Sequence, residues 1–198
     1  MARYTGPKIK ISRRLGVKLG LRTNESAFDR RPFKPGQHGP NGRRSRPSEY
    51  GLQLMEKQKA KYMYGILERQ FRKYYEKAAK SNNIGLQLMQ LLETRLDTVV
   101  YRAGYALTQN QARQFVTHGH VMVNGKKASI PSFQVLPGMK ITVDDKLIKL
   151  IDEQRGQSAI LPTWIKTGNK SAEVLDLPTR DQISPLINEQ LIVEYYSR

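Results

Sequence analysis

The 198-residue sequence contains no cysteine, which excludes disulfides and thiolate metal sites and is typical of cytosolic proteins. It has no apolar run approaching the ~20 residues that span a bilayer, and its first residues lack the apolar stretch of a signal peptide. Acidic residues are scarce, since 17 Asp and Glu stand against 34 Lys and Arg. The net charge of +17 predicts a polyanionic partner, and the missing apolar run favours nucleic acid over a membrane.

The charge is unevenly distributed along the chain. Residues 1–47 carry a net charge of +11, residues 48–92 carry +4, residues 93–152 carry +3 and residues 153–198 carry −1. The hydrophobic content of 38% is enough for one good core or two small ones. We therefore expect one or two domains, with a strongly basic N-terminal end and a C-terminal end that faces a different partner.

The first 47 residues form a basic, turn-rich segment. Its prolines alternate with glycines, which favours turns over long helices or strands: Pro32, Pro35, Gly36, Gly39, Pro40, Gly42 and Pro47. Because such a segment alone buries little apolar surface, we predict that much of it becomes ordered on RNA. Its arginines, with Tyr4, Phe33 and His38, could stack on unpaired bases. The alternative is a flexible, solubilising tail.

Residues 48–92 show helical periodicity. Ser48 is a predicted N-cap, and the helix after it carries a basic run, Lys57, Lys59 and Lys61. A second helix, over about residues 65–80, has an apolar stripe and an opposite basic stripe of Arg69, Lys73, Lys77 and Lys80. We predict that the basic stripe faces RNA. The alternative is a solvated face, supported by intrahelical pairs such as Glu68 with Arg72.

Residues 93–127 predict two short helices followed by a hairpin. The first helix continues an apolar stripe that recurs every three or four residues, and Gly104 ends it: Met89, Leu92, Leu96, Val99 or Val100, and Ala103. Thr108 and Gln111 predict a capping box for the second helix, which Gly119 ends. Asn124-Gly125 predicts a two-residue hairpin turn with Lys126 and Lys127 at its tip.

Basic and polar side chains recur on the same two helices. Arg95 and Arg102 lie seven residues apart, so one continuous helix would place them on a shared face about 10 Å apart. The next helix and its exit contribute further donors, Arg113, Gln114, His118 and His120. Together these residues could line a groove that binds phosphates and ribose hydroxyls. For any single arginine, a solvated helix face is the alternative.

Beyond the hairpin, the sequence predicts short strands and turns. MKITV at residues 139–143 alternates as a strand does, and residues 146–160 predict a mildly amphipathic helix. Residues 161–198 predict further strand segments, a proline-marked turn and a returning C-terminus. The acidic side chains in this part favour a protein contact: Asp176, Asp181, Glu189 and Glu194.

Five stretches resemble one known family. RLDTVVYRAG at residues 95–104, ARQFVTHGHVMVNG at 112–125, VLPGMKITV at 135–143, the PGQHG segment at 35–39 and the ending INEQLIVEYYSR are similar to small-subunit ribosomal protein S four. The resemblance implies an α+β protein with a basic rRNA-binding extension over residues 1–47 and a helical domain over residues 48–92. Residues 186–198 would pack back on that domain. An S-four RNA-binding domain over residues 93–185 would place two helices on a small, mostly antiparallel sheet.

The resemblance also implies a function. Members are structural constituents of the small ribosomal subunit that bind the five-prime domain of its rRNA early, nucleate assembly and contribute to translational accuracy. The implied partners are small-subunit rRNA, messenger RNA at the entry channel, and ribosomal proteins S five and S three, with no membrane, cofactor or small-molecule substrate. The residues that match the family's messenger-contacting run are Arg43, Arg44 and Arg46.

Residue pattern and resemblance together give the predicted rRNA-binding set. The extension contributes Arg3, Tyr4, Lys8, Lys10, Arg13, Arg14, Arg30, Arg31, Gln37 and His38. The helical domain contributes Tyr50, Lys57, Lys59, Lys61, Arg69, Arg72 and Lys73. The RNA-binding domain contributes Arg95, Arg102, Thr108, Arg113, Gln114, His118, His120 and Lys126.

No metal site is expected. Many members of the family bind zinc through four cysteines, and this chain has none. Three scattered histidines, His38, His118 and His120, cannot by themselves complete a tetrahedral site.

Two other functional classes compete with a structural role. Pseudouridine synthases and tyrosyl-tRNA synthetases carry the same RNA-binding domain, but the remaining residues here lack a phosphate-binding loop, a metal cluster or a nucleophile with a base. A free RNA-binding accessory factor, such as a ribosome-recycling heat-shock protein, would consist of the module and a basic tail. Because the resemblance covers nearly the entire chain, we expect a ribosomal protein and not an enzyme.

Overall fold

The computed structural model describes residues 4–40, 47–145, 147 and 161–198. Within those residues the helices are α1 Lys8–Leu15, α2 Ser26–Arg30, α3 Glu49–Met63, α4 Glu68–Ala78, α5 Ile84–Glu93, α6 Leu96–Arg102, α7 Gln109–Thr117 and α8 Glu189–Tyr196. The strands are β1 Val121–Val123, β2 Lys126–Lys127, β3 Lys140–Val143, β4 Ile165–Thr167 and β5 Ser171–Val174. The chain divides into two compact units, residues 1–85 with 185–198, and residues 86–184.

The first unit is helical, and its C-terminal helix α8 packs against α3. Ser48 caps α3 as predicted, because its side chain accepts a hydrogen bond from the Gly51 amide at 3.2 Å. Along α4, Phe71, Tyr74 and Ala78 are buried, which confirms the predicted apolar stripe except at its first residue, Leu67, which is exposed. Tyr196 of α8 stacks on Phe71, with ring centroids 6.1 Å apart.

The basic N-terminal segment contributes its own apolar cluster. Ile11 and Leu15 of α1, with Leu19 and Leu21 beyond it, are buried together. Three side chains of α3 pack against them, Met55, Tyr62 and Met63. The segment does not bury these four aliphatic residues alone, because α3 supplies part of the surface that covers them. Whether residues 1–47 become further ordered on RNA stays a prediction.

The second unit carries a five-stranded antiparallel sheet in the order β2-β1-β3-β5-β4. The predicted hairpin turn is confirmed, since Asn124 and Gly125 have φ angles of +49° and +76°, the left-handed pair that a type I′ turn requires. Val121 and Val123 of β1 alternate inward and face Val143 and Ile141 of β3. One face of the sheet therefore supplies half of a core.

Helices α6 and α7 supply the other half of that core. Leu96, Val99, Val100 and Ala103 of α6 and Ala112 and Val116 of α7 are buried in one cluster with the inward valines of the sheet. The predicted fold class, α+β with two helices packed on a small antiparallel sheet, is confirmed.

The apolar stripe over residues 89–103 predicted one continuous helix, but in the structure two helices share it. Helix α5 ends at Glu93 and α6 begins at Leu96, with an isolated bridge between Arg95 and Gln134 in the break. The break persists because the 131–135 segment takes over its backbone hydrogen bonds: the Leu96 amide donates to the Phe133 carbonyl at 2.8 Å.

The returning C-terminus predicted for residues 186–198 is largely helical. The LIVEYYSR stretch lies largely within helix α8, which is capped by the Asn188 side chain on the Gln190 amide at 3.0 Å. The helix predicted over residues 146–160 lies outside the described residues except for Leu147.

Candidate nucleic-acid interface

The second unit places Arg95 inside the protein. Arg95 is 1% exposed, and its Nε and Nη2 atoms donate to the carboxylate oxygens of Asp97 at 3.0 and 2.7 Å. Arg113, only 8% exposed, lies with its Nη1 atom 3.6 Å from the same carboxylate. Burial raises the pKa of Asp97, and the charges of Arg95 and Arg113 oppose that rise. The prediction that Arg95 and Arg113 line an RNA groove was wrong, because burial removes them from the surface.

Arg102 also forms an ion pair within the protein. Its Nε and Nη2 atoms donate to the two carboxylate oxygens of buried Glu93 at 2.8 and 2.5 Å. Thr108, another predicted RNA contact, caps α7 by accepting from the Gln111 amide at 3.3 Å, as its helix-start pattern predicted. Gln111 in turn accepts from the amide of Leu107, one residue before the position that a capping box uses.

The exposed residues of the predicted set in this unit lie near the end of α7. His118 and Gln114 are exposed, and the His118 and His120 rings lie 6.2 Å apart. His120 Nδ1 lies 2.9 Å from an Asp144 carboxylate oxygen. Lys127 lies across Gly119, so that a Cβ there would collide with the lysine side chain. This cluster, which we call the α7 exit, includes exposed Lys126 on the adjoining strand β2.

The lysines of α3 are mostly enclosed by the first unit. Lys57 is 4% exposed; its Nζ atom lies 2.8 Å from Glu68 and 4.6 Å from the centre of the Tyr195 ring. Lys61 lies 3.3 Å from the other Glu68 oxygen, and Lys59 pairs with Glu56. The prediction that this run faces RNA was wrong for Lys57, and the other two are largely buried in ion pairs. Glu68 therefore forms ion pairs with Lys57 and Lys61 of α3 instead of the intrahelical pair with Arg72.

We expect the Lys57–Glu68 pair to make stability depend on acid pH. Burial raises the pKa of Glu68, but hydrogen bonds from Lys57 and Tyr196 lower it by more, so the folded pKa lies below the ordinary 4.5. A depressed carboxyl pKa contributes stability that is complete above 4.5 and is lost as pH falls through the folded value. Because Glu68 is nearly half exposed, we expect Glu68→Gln to lower the free energy of unfolding by only about 1 kcal/mol at pH 7.

Urea unfolding of both proteins at several pH values checks this prediction. The difference between wild type and Glu68→Gln should shrink as pH falls below 4.5, while other carboxyls titrate equally in both. The matched variant Glu76→Gln removes only an exposed pair with Arg72 and should show no such convergence. A Glu68→Gln difference that stays constant from pH 7 to pH 3 would contradict it.

The basic stripe predicted on α4 is exposed, and its contact with RNA stays a prediction. Arg69, Lys73 and Lys77 are exposed along it, four residues apart, and Lys80 follows just beyond the helix end. Arg72, also predicted, forms an exposed 3.3 Å pair with Glu76. The four remaining cations, Arg69, Lys73, Lys77 and Lys80, form a continuous positive stripe, which we call the α4 stripe.

The extension forms a cleft of about 560 Å³ between the end of α1 and residues 32–40. Its walls bring together four predicted residues that the sequence separates: Arg13, Arg14, Gln37 and His38. Lys34, absent from the predicted set, also lines it. The signal that could have found it is its place in Phe33-Lys34-Pro35, between two residues that the structure uses as apolar walls.

The other predicted residues are scattered or lie elsewhere. Lys10, Arg30 and Arg31 are exposed, and Lys8 is half-buried. Tyr4 packs edge-on against Tyr62 at 5.5 Å, and Tyr50, 49% exposed, lies 5.8 Å from Tyr195. Four predicted residues lie outside the described residues: Arg3, Arg43, Arg44 and Arg46.

The described part of the chain offers neither a metal cluster nor a membrane span. No group of three or more histidine, aspartate or glutamate residues there is placed to hold a metal ion. None of the helices described is both long enough and apolar enough to cross a membrane.

Comparison with known proteins gives one consistent result. Residues 3–93 match the ribosomal protein S4/S9 N-terminal domain, and residues 94–141 match the S4 domain. Proteins named small ribosomal subunit protein uS4 are similar over the full length of both chains: 50% identical in Roseiflexus castenholzii, 49% in Dictyoglomus thermophilum and 50% in Cutibacterium acnes.

Proposed function

The chain belongs to the family of small ribosomal subunit protein uS4, and from that premise we propose that it holds the five-prime domain of small-subunit rRNA through separate basic surfaces. It is a structural constituent of the small ribosomal subunit, binds rRNA and works in the cytoplasmic ribosome. Membership of a ribosomal family also confirms that the chain is not an enzyme.

The observation that carries the proposal is the exposure of cations on three surfaces. The first unit presents the α4 stripe and the cleft of the extension, and the second presents the α7 exit. Such surfaces suit recognition of an RNA fold by phosphate position and ribose contact more than by base edges. We accordingly keep as proposed rRNA contacts Lys10, Arg13, Arg14, Arg30, Arg31, Gln37, His38, Arg69, Lys73, Gln114, His118 and Lys126.

We further propose that the regions divide the work. The extension 1–47 and the helical domain 48–92 with residues 186–198 would contact one part of the RNA fold, and residues 93–185 another. A protein that bridges two parts of an RNA fold would stabilise it early and so nucleate subunit assembly. The packing of α8 on α3 supports grouping residues 186–198 with the helical domain.

Messenger RNA and neighbouring proteins complete the proposal. We propose that messenger RNA at the entry channel contacts Arg43, Arg44 and Arg46. We also propose that ribosomal proteins S five and S three contact the chain and that the chain contributes to the accuracy of translation. Asp176 and Asp181 are exposed, which supports a contact with a basic protein surface there. Glu194 is different, since it accepts a hydrogen bond from Gln53 at 2.9 Å.

A salt series tests the rRNA assignment. We expect the purified protein to retain a five-prime-domain transcript at physiological salt in the presence of an unrelated RNA of equal length. With at least five phosphate contacts, the log–log dependence of affinity on salt should be steeper than about −3.5. Equal, salt-labile binding of both RNAs would overturn the proposal and favour a generic RNA-binding factor.

A further inference from the structure

The cleft of the extension is lined by both apolar and basic side chains. Phe33, Pro32 and Pro35 lie on the loop side, and Leu15 and Met55 add further apolar surface. The same cleft is lined by cations and hydrogen-bonding groups: Arg13, Arg14, Lys34, Gln37 and His38. A surface that only neutralised phosphates would not need apolar walls, and a purely apolar pocket would not need this charge.

The apolar side of the cleft is held in place by Arg13. Its Nε atom donates to the Phe33 carbonyl at 3.0 Å, and its guanidinium lies over the Phe33 ring at 5.1 Å. Arg13 is thus fixed as part of a stacked Arg–Phe platform, of the kind on which unpaired bases stack. The charges that remain exposed beside the platform are Arg14 and Lys34.

Two glycines shape the loop that closes the cleft. A Cβ at Gly39 would collide with the Lys34 carbonyl oxygen, so only glycine lets the chain turn this tightly. The Gly39 amide donates to the Gly36 carbonyl at 3.1 Å, and Gly36 has a φ of +112° that side chains rarely adopt. The cleft is therefore set by backbone geometry and does not depend on long side chains alone.

We propose that this cleft receives one unpaired nucleotide of the rRNA, with its base on the Arg13–Phe33 platform and its phosphate on Arg14 and Lys34. The inference rests on the proposed rRNA function and names the form of RNA that this site takes. A cleft of about 560 Å³ is large enough for a single nucleotide and too small for a double helix to enter, and its cations match a phosphate. An acidic peptide would match the cations but not the flat stacking platform.

Two variants separate the two halves of the site. Phe33→Leu keeps the apolar volume and the backbone carbonyl that holds Arg13, but it removes the ring. We expect it to weaken binding of the five-prime-domain transcript by about 5- to 150-fold, the range for removal of one base stack, with an unchanged salt slope. Arg14→Gln with Lys34→Gln should instead make the slope shallower by about 0.7–0.9 for each phosphate that the variant no longer neutralises.

Acylation of ribose 2′-hydroxyls in the complex identifies the nucleotide itself. An unpaired nucleotide should be protected by the wild-type chain and become reactive with Phe33→Leu, while Phe133→Leu, a matched change in the second unit, should leave it protected. If Phe33→Leu binds and protects the transcript as Phe133→Leu does, the cleft holds no nucleotide, although rRNA binding stands. If the wild type fails to select the transcript, the proposed function fails first.

Discussion

Replacing Asp97 with asparagine is expected to lower the free energy of unfolding by about 3–5 kcal/mol, the cost of removing one partner from a buried ion pair. Asp97 is fully buried and accepts two hydrogen bonds from Arg95, which is itself 1% exposed. The asparagine amide is uncharged and would leave the Arg95 guanidinium without its counter-charge in a dry environment. Since whole domains are stable by only about 5–15 kcal/mol, this single change threatens the fold.

Chemical denaturation of the full chain measures this destabilisation. Glu76→Gln is the matched control, because it removes the same type of charge from a pair that is 72% and 61% exposed. Exposed pairs contribute about 0–1 kcal/mol, so the control should remain close to wild type. If Asp97→Asn cost no more than Glu76→Gln, the carboxylate would not be what holds Arg95, and its burial would need another explanation.

The Arg95 ion pair also shows what sequence patterns can and cannot predict. Caps and turns such as Ser48 and Asn124-Gly125 were predicted correctly because their signals lie within three or four residues. The burial of Arg95 depends on residues 131–135, which are distant in sequence and close the helix break. Basic residues can therefore be predicted as a class from charge, while the choice between surface and interior is settled by packing.

The same distinction explains the helix at the C-terminus and the cleft residue that the sequence did not predict. The β-branched and aromatic residues of LIVEYY favour a strand locally, but packing of α8 on α3 stabilises the helical conformation. Lys34 gains its place only when residues 32–40 fold beside the end of α1. Fold class, the caps of α3 and α7 and the hairpin were accessible from the sequence because they follow local rules, whereas the cleft is assembled from segments that are distant in the sequence.

The other large effect is expected on the α4 stripe. Changing Arg69, Lys73, Lys77 and Lys80 together to glutamine removes four exposed cations from one face. If each contacts a phosphate, the salt dependence of rRNA binding should become shallower by about 3, and affinity near 0.15 M salt should fall by roughly 100-fold or more. Glutamine, arginine and lysine have similar helix propensities, so α4 should persist.

Two controls make the result specific to this face. Exchanging the cations, Arg69→Lys with the three lysines changed to arginine, retains the charge and should restore most of the affinity. Changing exposed Lys166 and Lys170 to glutamine lowers the net charge in the least basic part of the chain and should have little effect. If the α4 variant bound like this second control, the stripe would be a solvated helix face, and the affinity would have to come from the extension and the α7 exit.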